Sequence, residues 1–239
     1  MIYSSFKKSL LLLSLAATLA LSGCNGSDTA QETIPAPAPS PVIYSYEVDV
    51  VNLTEGQPMS PMAVILHNDG MLWEIGEAAS AGLEKLAESG DNLAILADSI
   101  VLSGKSGTGV VLPGASDKIM VSISNTLPMK FSLATMLVNT NDGFTGVNAM
   151  DISALMVGDS MTVTTHTYDA GTESNSELMA TIPGPAAGGE GFNSERDDID
   201  KITVHAGIVS KDDGLMQSVL TPANRFDNPT LMVTITRIK

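Results

Sequence analysis

Hydrophobic and polar positions alternate with a period of two over several short stretches of this chain. Tyr44, Tyr46, Val48 and Val50 are interleaved with Ser45, Glu47 and Asp49, and Ile119, Val121 and Ile123 repeat the pattern after the turn signal Pro113-Gly114. Such alternation predicts strands with one buried face. Met161, Val163, Thr165 and Thr167 form one face of a further strand. "MAVILH" at 62–67 is a short apolar run, and "KFSLATMLV" at 130–138 is apolar on both parities, as in a central strand covered on both sides. "KITVHAGIV" at 201–209 and "TLMVTITRI" at 230–238 complete the set.

The period becomes helical in one place. Leu83, Leu86 and Ala87 fall at i, i+3, i+4, and Leu93, Leu96, Ala97 and Ile100 at i, i+3, i+4, i+7. Gly90 between them suits the residue just past a helix end, and Asp91 an N-cap. Helix is therefore expected roughly over 78–102, as an insertion between strands. Seven or eight strands with one such excursion predict an all-β fold, an antiparallel two-sheet β-sandwich with a short helical insertion. No internal repeat and no second domain is visible.

The N-terminus reads differently. Lys7 and Lys8 precede an apolar run from Leu10 to Leu21, too short to span a bilayer. This is the pattern of a signal peptide, residues 1–23, and it ends in Leu21-Ser22-Gly23-Cys24, which resembles the bacterial lipobox. By that resemblance Cys24 is expected to carry lipid through a thioether. Asn25 after it, in place of Asp, favours the outer membrane. Residues 24–42, with "PAPAPSP", read as a lipidated cysteine and a Pro/Ala-rich tether of polyproline character. Residues 43–239 have the length of one large domain. Cys24 is the only cysteine, so the domain has no internal disulfide and depends on its core.

Charge narrows the partners. The chain carries −15, and losing Lys7 and Lys8 with the leader takes it to −17. Nucleic acid and anionic lipid surfaces repel such a chain, whereas cations are attracted to it. Aromatic residues make up only 4% of the sequence, which disfavours a carbohydrate-stacking platform.

Few residues suggest chemistry. His67, His166 and His205 are widely separated and lack zinc-site spacing. No G-x-S-x-G elbow occurs, and Gly104-Lys105-Ser106 lacks both the first glycine and the following helix of a phosphate loop. Asp197, Asp198 and Asp200 in "ERDDIDK" read as a solvated acidic loop. Two other acidic loops follow strands: "LVNTNDGFTG" at 137–146, with Asp142, and "YDAGTE" at 168–173, with Asp169 and Glu173. Each alone is a turn. Loops of sequence-distant strands cluster at one end of a sandwich, where oxygen ligands can enclose a hard cation, calcium ahead of magnesium.

At these residues the chain resembles the spondin domain, the module found in F-spondin and in many bacterial secreted proteins. The matching stretches are "YEVDVVNLTEGQPMSPMAVILHNDG", "SLATMLVNTNDGFTG", "YDAGTESNSEL", "IPGPA" and "NPTLMVTITRIK", which span Tyr46 to Lys239 in order. The resemblance implies a C2-like antiparallel sandwich that binds calcium through acidic loop residues. Its motifs place ligands on Asp142, Asp169 and Glu173, with Glu173 standing where the family has aspartate. The disulfide of the animal members is missing. Animal members act in extracellular matrix and cell adhesion. The expectation is thus an exported, lipid-anchored, calcium-binding module, not an enzyme, that serves binding or adhesion at the bacterial cell envelope. It would be held in the outer membrane through Cys24, facing the periplasm or the exterior. Its partner would be an envelope, extracellular or matrix protein. The alternatives are an envelope hydrolase using Asp142 and Asp169 as an acid–base pair, and a structural domain without ligand.

Overall fold

The computed structural model describes residues 38–239, and ten strands within them form two antiparallel sheets. The leader, Cys24 and most of the tether lie outside the described residues. Four strands make one sheet, in the order β4 (Ser116–Ser124), β1 (Ile43–Asn52), β10 (Leu231–Arg237), β7 (Ser160–Thr165). The other contains six, in the order β3 (Ser103–Ser106), β2 (Ala63–His67), β5 (Lys130–Met136), β6 (Gly143–Asp151), β8 (Thr167–Asp169), β9 (Thr203–Val204). Residues 40–239 form one compact unit.

The alternation in β1 sets its register. Val48 stands opposite Ile235 of β10 on one side and Ile119 of β4 on the other. Tyr46, Val48, Val50, Ile119, Val121, Val233 and Ile235 therefore face inward together, against Val64, Leu66, Phe131 and Leu133 of the second sheet. The outer face of the four-stranded sheet is mostly polar, with Lys118 bridging Glu47 (2.6 Å) and Asp49 (3.2 Å), and it also exposes Met120 and Met232.

The six-stranded sheet is buried on its outer face as well. Helices α1 (Ala81–Ser89) and α2 (Leu93–Leu96) cover it. Ala63, Ile65, Ala134 and Phe144 pack there with Leu83, Leu86, Ala87, Ile95 and Trp73. This second core explains why 130–138 is apolar on both parities.

Several boundaries differ from the sequence expectation, each for a local reason. The helical span of 78–102 is two short helices. Ser80 caps α1, its Oγ accepting from the Leu83 amide (3.2 Å), and Gly90 ends it in a left-handed conformation (φ 71°). The second helix stops early because the Asp98 carboxylate accepts from the Ile100 amide (3.0 Å) and turns the chain. There Ile95 is buried, and Leu93, expected on the apolar face, is 72% exposed. Of 201–209 only Thr203–Val204 pairs, since His205 Nδ1 accepts from the Gly207 amide (2.9 Å) and closes a turn. The strand expected through Met161 and Thr167 divides at His166. Thr165 pairs with Leu231 in the first sheet and Thr167 with Thr145 in the second. Strand β3 falls where no strand is expected, and β6 begins inside the segment 137–146 that reads as a turn.

Candidate functional site

Pairing of β6 with β8 builds the acidic end of the sandwich. Gly143 stands opposite Asp169, so Asp142, one residue before β6, meets the end of β8, and the Ala170 amide donates to the Asp142 carbonyl (3.2 Å). The loop before β6 is buried from Asn139 to Asp142, which is unusual for a connection. It stands inside because its polar groups are used locally. The Thr140 hydroxyl donates to the Leu137 carbonyl (2.6 Å) and accepts from the Gly143 amide (2.9 Å). Asn139 Oδ1 accepts from the Ala186 amide (3.0 Å).

The segment after β8 folds back over this loop. Asp169 Oδ1 accepts from the Gly171 amide (2.8 Å), and Gly171 adopts a positive φ of 68°. A Cβ there would lie 2.3 Å from the Lys201 carbonyl oxygen, so only glycine fits. The turn points the next two amides inward. Thr172 N (2.8 Å), Glu173 N (3.2 Å) and the Thr172 hydroxyl (3.3 Å) all donate to Asp142 Oδ2.

Of the three carboxylates expected to act together, Asp142 lies within electrostatic reach of both Asp169 and Glu173, and Glu88 lies within reach of Glu173. Glu88, near the end of α1, is buried too, and the four are 0, 6, 7 and 1% exposed in that order. Asp169 acts electrostatically on Asp142, and both Asp142 and Glu88 act on Glu173. None of the four forms an ion pair with a basic side chain among the described residues. The Arg196 guanidinium, which acts weakly on Glu88, is already held by Glu84 (2.6 Å) and Asp200.

The consequence is a set of buried carboxyls with no basic side chain among the described residues to offset their charge. Burial, then the Asp169 charge, pushes the Asp142 carboxyl up to about 7. Burial pushes Glu173 up to about 8, and the Glu88 carboxyl also rises through burial. Three carboxylate oxygens have no donor at all: Asp142 Oδ1, Glu173 Oε2 and Glu88 Oε1. Both oxygens of Asp169 are engaged, Oδ2 accepting from Asn175 Nδ2 (2.6 Å). Buried oxygens without donors are costly unless they hold a proton or a cation.

An all-carboxylate donor set fits a hard cation such as calcium. The side chains are not gathered round one point as they stand. Among the described residues no group of three or more His, Cys, Asp or Glu side chains is arranged to hold a metal ion. Loop carboxylates would have to turn toward an ion, which the flexible coordination of calcium tolerates.

Other expected residues fall elsewhere. His67 is buried, its Nδ1 on the Asp69 carbonyl (2.8 Å) and its Nε2 on Ser132 Oγ (2.9 Å), whereas His166 is exposed. The acidic loop braces the site without entering it. Asp197 Oδ1 accepts from the Ser174 amide (2.8 Å), and Asp200 N donates to the Gly171 carbonyl (2.8 Å).

Sequence reading missed Glu88 and set His205 aside with the other two histidines. His205 is buried near Asp169 with Nε2 unpartnered, and since its Nδ1 accepts a hydrogen bond, neutral His205 carries its proton on Nε2 and has no lone pair there for a metal. Glu88 had a signal: with Glu84 it occupies the helical column beside Leu83 and Ala87, at the border of the apolar face. An apolar cavity of ≈ 380 Å³, lined by Pro58, Val110, Leu112, Met136, Val138 and Pro183, contains no acid or base.

No protein-family model matches the chain, and a search of curated proteins finds no match.

Proposed function

We propose that this chain is an exported, lipid-anchored, spondin-like module that binds calcium at the acidic end of its sandwich and serves binding or adhesion at the cell envelope. Asp142, Asp169 and Glu173 contribute to the cation site, and Cys24 holds the protein in the membrane. Its partner is an envelope, extracellular or matrix protein. The sequence resemblance supports this reading. The observation that carries it is the buried carboxylate pool, in which Asp142 Oδ1 and Glu173 Oε2 have lone pairs and no donor. A cation supplies the missing compensation.

Calcium binds the folded site and finds little to hold in the unfolded chain. At a hundredfold excess over Kd it should stabilise by about 2.7 kcal/mol, a rise in Tm of roughly 5–10 °C for a domain of this size. The unpartnered oxygens rank the variants. Asp142→Asn and Glu173→Gln should remove most of the rise, and Asp169→Asn less, because both its oxygens already accept hydrogen bonds. Magnesium, which needs rigid octahedral sites, should stabilise less at equal concentration. A Tm of chelator-treated protein that calcium leaves unmoved rejects the reading.

A further inference from the structure

The helical layer meets the acidic end through one side chain. We propose that Glu88 is a fourth carboxylate of the cation site, carried in by helix α1, so that cation uptake fastens the helical layer and the segment around Asn193 to the sandwich. This rests on the reading of the cluster as a cation site.

Glu88 is misplaced for a purely structural role. It lies in the last turn of α1, a helix with no basic residue there, where the unsatisfied carbonyls already present partial negative charge. It is 1% exposed and pairs with no basic side chain among the described residues. Glu84, one turn earlier, is also buried but bonded to Arg196 at 2.6 Å. One Glu88 oxygen, Oε2, accepts from the Asn193 amide (2.9 Å), while Oε1 has no donor. A glutamine would serve Asn193 equally well through its amide oxygen, without the burden of a buried charge.

Its surroundings point to the cluster. Helix α1 packs against β5 and β6, and β6 begins directly after Asp142. The Thr172 hydroxyl, 3.3 Å from Asp142 Oδ2, also lies beside Glu88, so one hydroxyl stands between two carboxylates and can donate to only one. Glu173 lies within electrostatic reach of both Glu88 and Asp142. Three of the four carboxylates thus each have one bare oxygen at the meeting of α1, the loop before β6 and the loop after β8. A cation drawn to Asp142 and Glu173 relieves Glu88 as well, whether directly or through water, and Glu88 in turn holds the Asn193 backbone.

The test uses the full chain, stripped with chelator and titrated with calcium, comparing parent and Glu88→Gln. The variant keeps the acceptor for Asn193 and loses only charge. It should bind calcium about tenfold or more weakly, as expected for one carboxylate lost from a calcium site. Its calcium-free Tm should be no lower than the parent's. In the parent, calcium should slow amide exchange at Asn193 and along residues 81–89, and in the variant this slowing should largely disappear. Equal calcium affinity in both proteins overturns the proposal. So does a variant that loses calcium-free stability yet keeps the whole calcium increment, the mark of a structural residue. If Glu88→Gln does not fold, Glu88→Asp retains the charge with a shorter reach and should bind more weakly than the parent; unchanged affinity there is equally fatal. A parent that takes up no calcium rejects the cation reading itself, which is a distinct outcome.

Discussion

Glu177 brings a carboxyl into the interior on a left-handed backbone (φ 55°), a conformation that costs a non-glycine residue free energy. Its Oε1 accepts from the Val209 amide (3.1 Å), its own amide donates to Asn141 Oδ1 (3.3 Å), and its carbonyl accepts from Val219 N (2.9 Å). The residue therefore ties the long irregular segment after β9 to the loop before β6. Its Oε2 has no donor, and burial pushes the carboxyl up to about 7. The folded state therefore keeps this proton over a range in which the unfolded chain, with an ordinary value of 4.5, has released it. The group's contribution to stability is full below 4.5 and is lost as pH rises through about 7. Glu177→Gln, neutral throughout, should match the parent near pH 4.5 and exceed it at pH 8. The gain should be about 2–3 kcal/mol, at ~1.36 kcal/mol per pKa unit. Calcium-free chemical denaturation at the two pH values checks this; an equal difference between the proteins at both would refute it. In sequence Glu177 is one more polar residue of "ESNSEL". Nothing in that string marks it as buried, because the amides that hold it, Val209 N and Val219 N, come from more than thirty residues away.

At the scale of elements, period was a good guide where a strand has one plain face and a poor one where neighbours decide. The alternation in β1 and β4 gave their inward faces directly. The stretch Gly143–Asp151 has two glycines and an asparagine and little alternation, yet it is a central strand between β5 and β8. A Cβ at Gly143 would meet the Thr140 side chain (2.6 Å to its hydroxyl oxygen), and at Gly146 backbone comes close. At Gly146, opposite Ala134, a Cβ would sit 1.9 Å from the Leu133 carbonyl oxygen, next to a register shift between Phe131 and Leu133. Gly146→Ala must push β5 and β6 apart, so it should destabilise by an amount at or above the upper end of the usual ~1–3 kcal/mol for overpacking. Trp73, the only tryptophan, reports on this. It packs edge-on against Phe144, with ring centroids 5.2 Å apart, beside Tyr168. Its fluorescence in a denaturant titration should give a lower midpoint for the variant, and an unchanged midpoint would mean the two strands yield freely. Asp142 and Asp169 were legible as residues at two strand ends, and the β6–β8 register brings them together. Glu88 was not, because that requires knowing which face of the six-stranded sheet the helices cover.

On the scale of the whole molecule, the two sheets present different surfaces. The six-stranded sheet lies beneath the helices, while the four-stranded sheet shows water a mostly polar face, interrupted by Met120 and Met232, whose cross-strand pairs include Ser45–Ser122 (2.8 Å), Thr162–Thr234 (2.9 Å) and Ser160–Thr236 (2.8 Å). No helix among the described residues is long and apolar enough to cross a membrane. Residues 24–239 carry −17, so an anionic lipid surface repels them, and neither charge nor the mostly polar sheet face gives a hold there. If the protein is membrane-bound, as proposed, its attachment then rests on lipid at Cys24. Covalent acyl chains hold through burial of their methylenes, at about 0.8 kcal/mol each, and are indifferent to ionic strength. The parent should therefore stay with membranes through both high-salt and alkaline washes. Cys24→Ser should move most of the protein into the soluble fraction, still folded and with the same calcium-dependent Tm. A Cys24→Ser protein that sediments with membranes as the parent does would show that something other than this cysteine holds the domain at the surface.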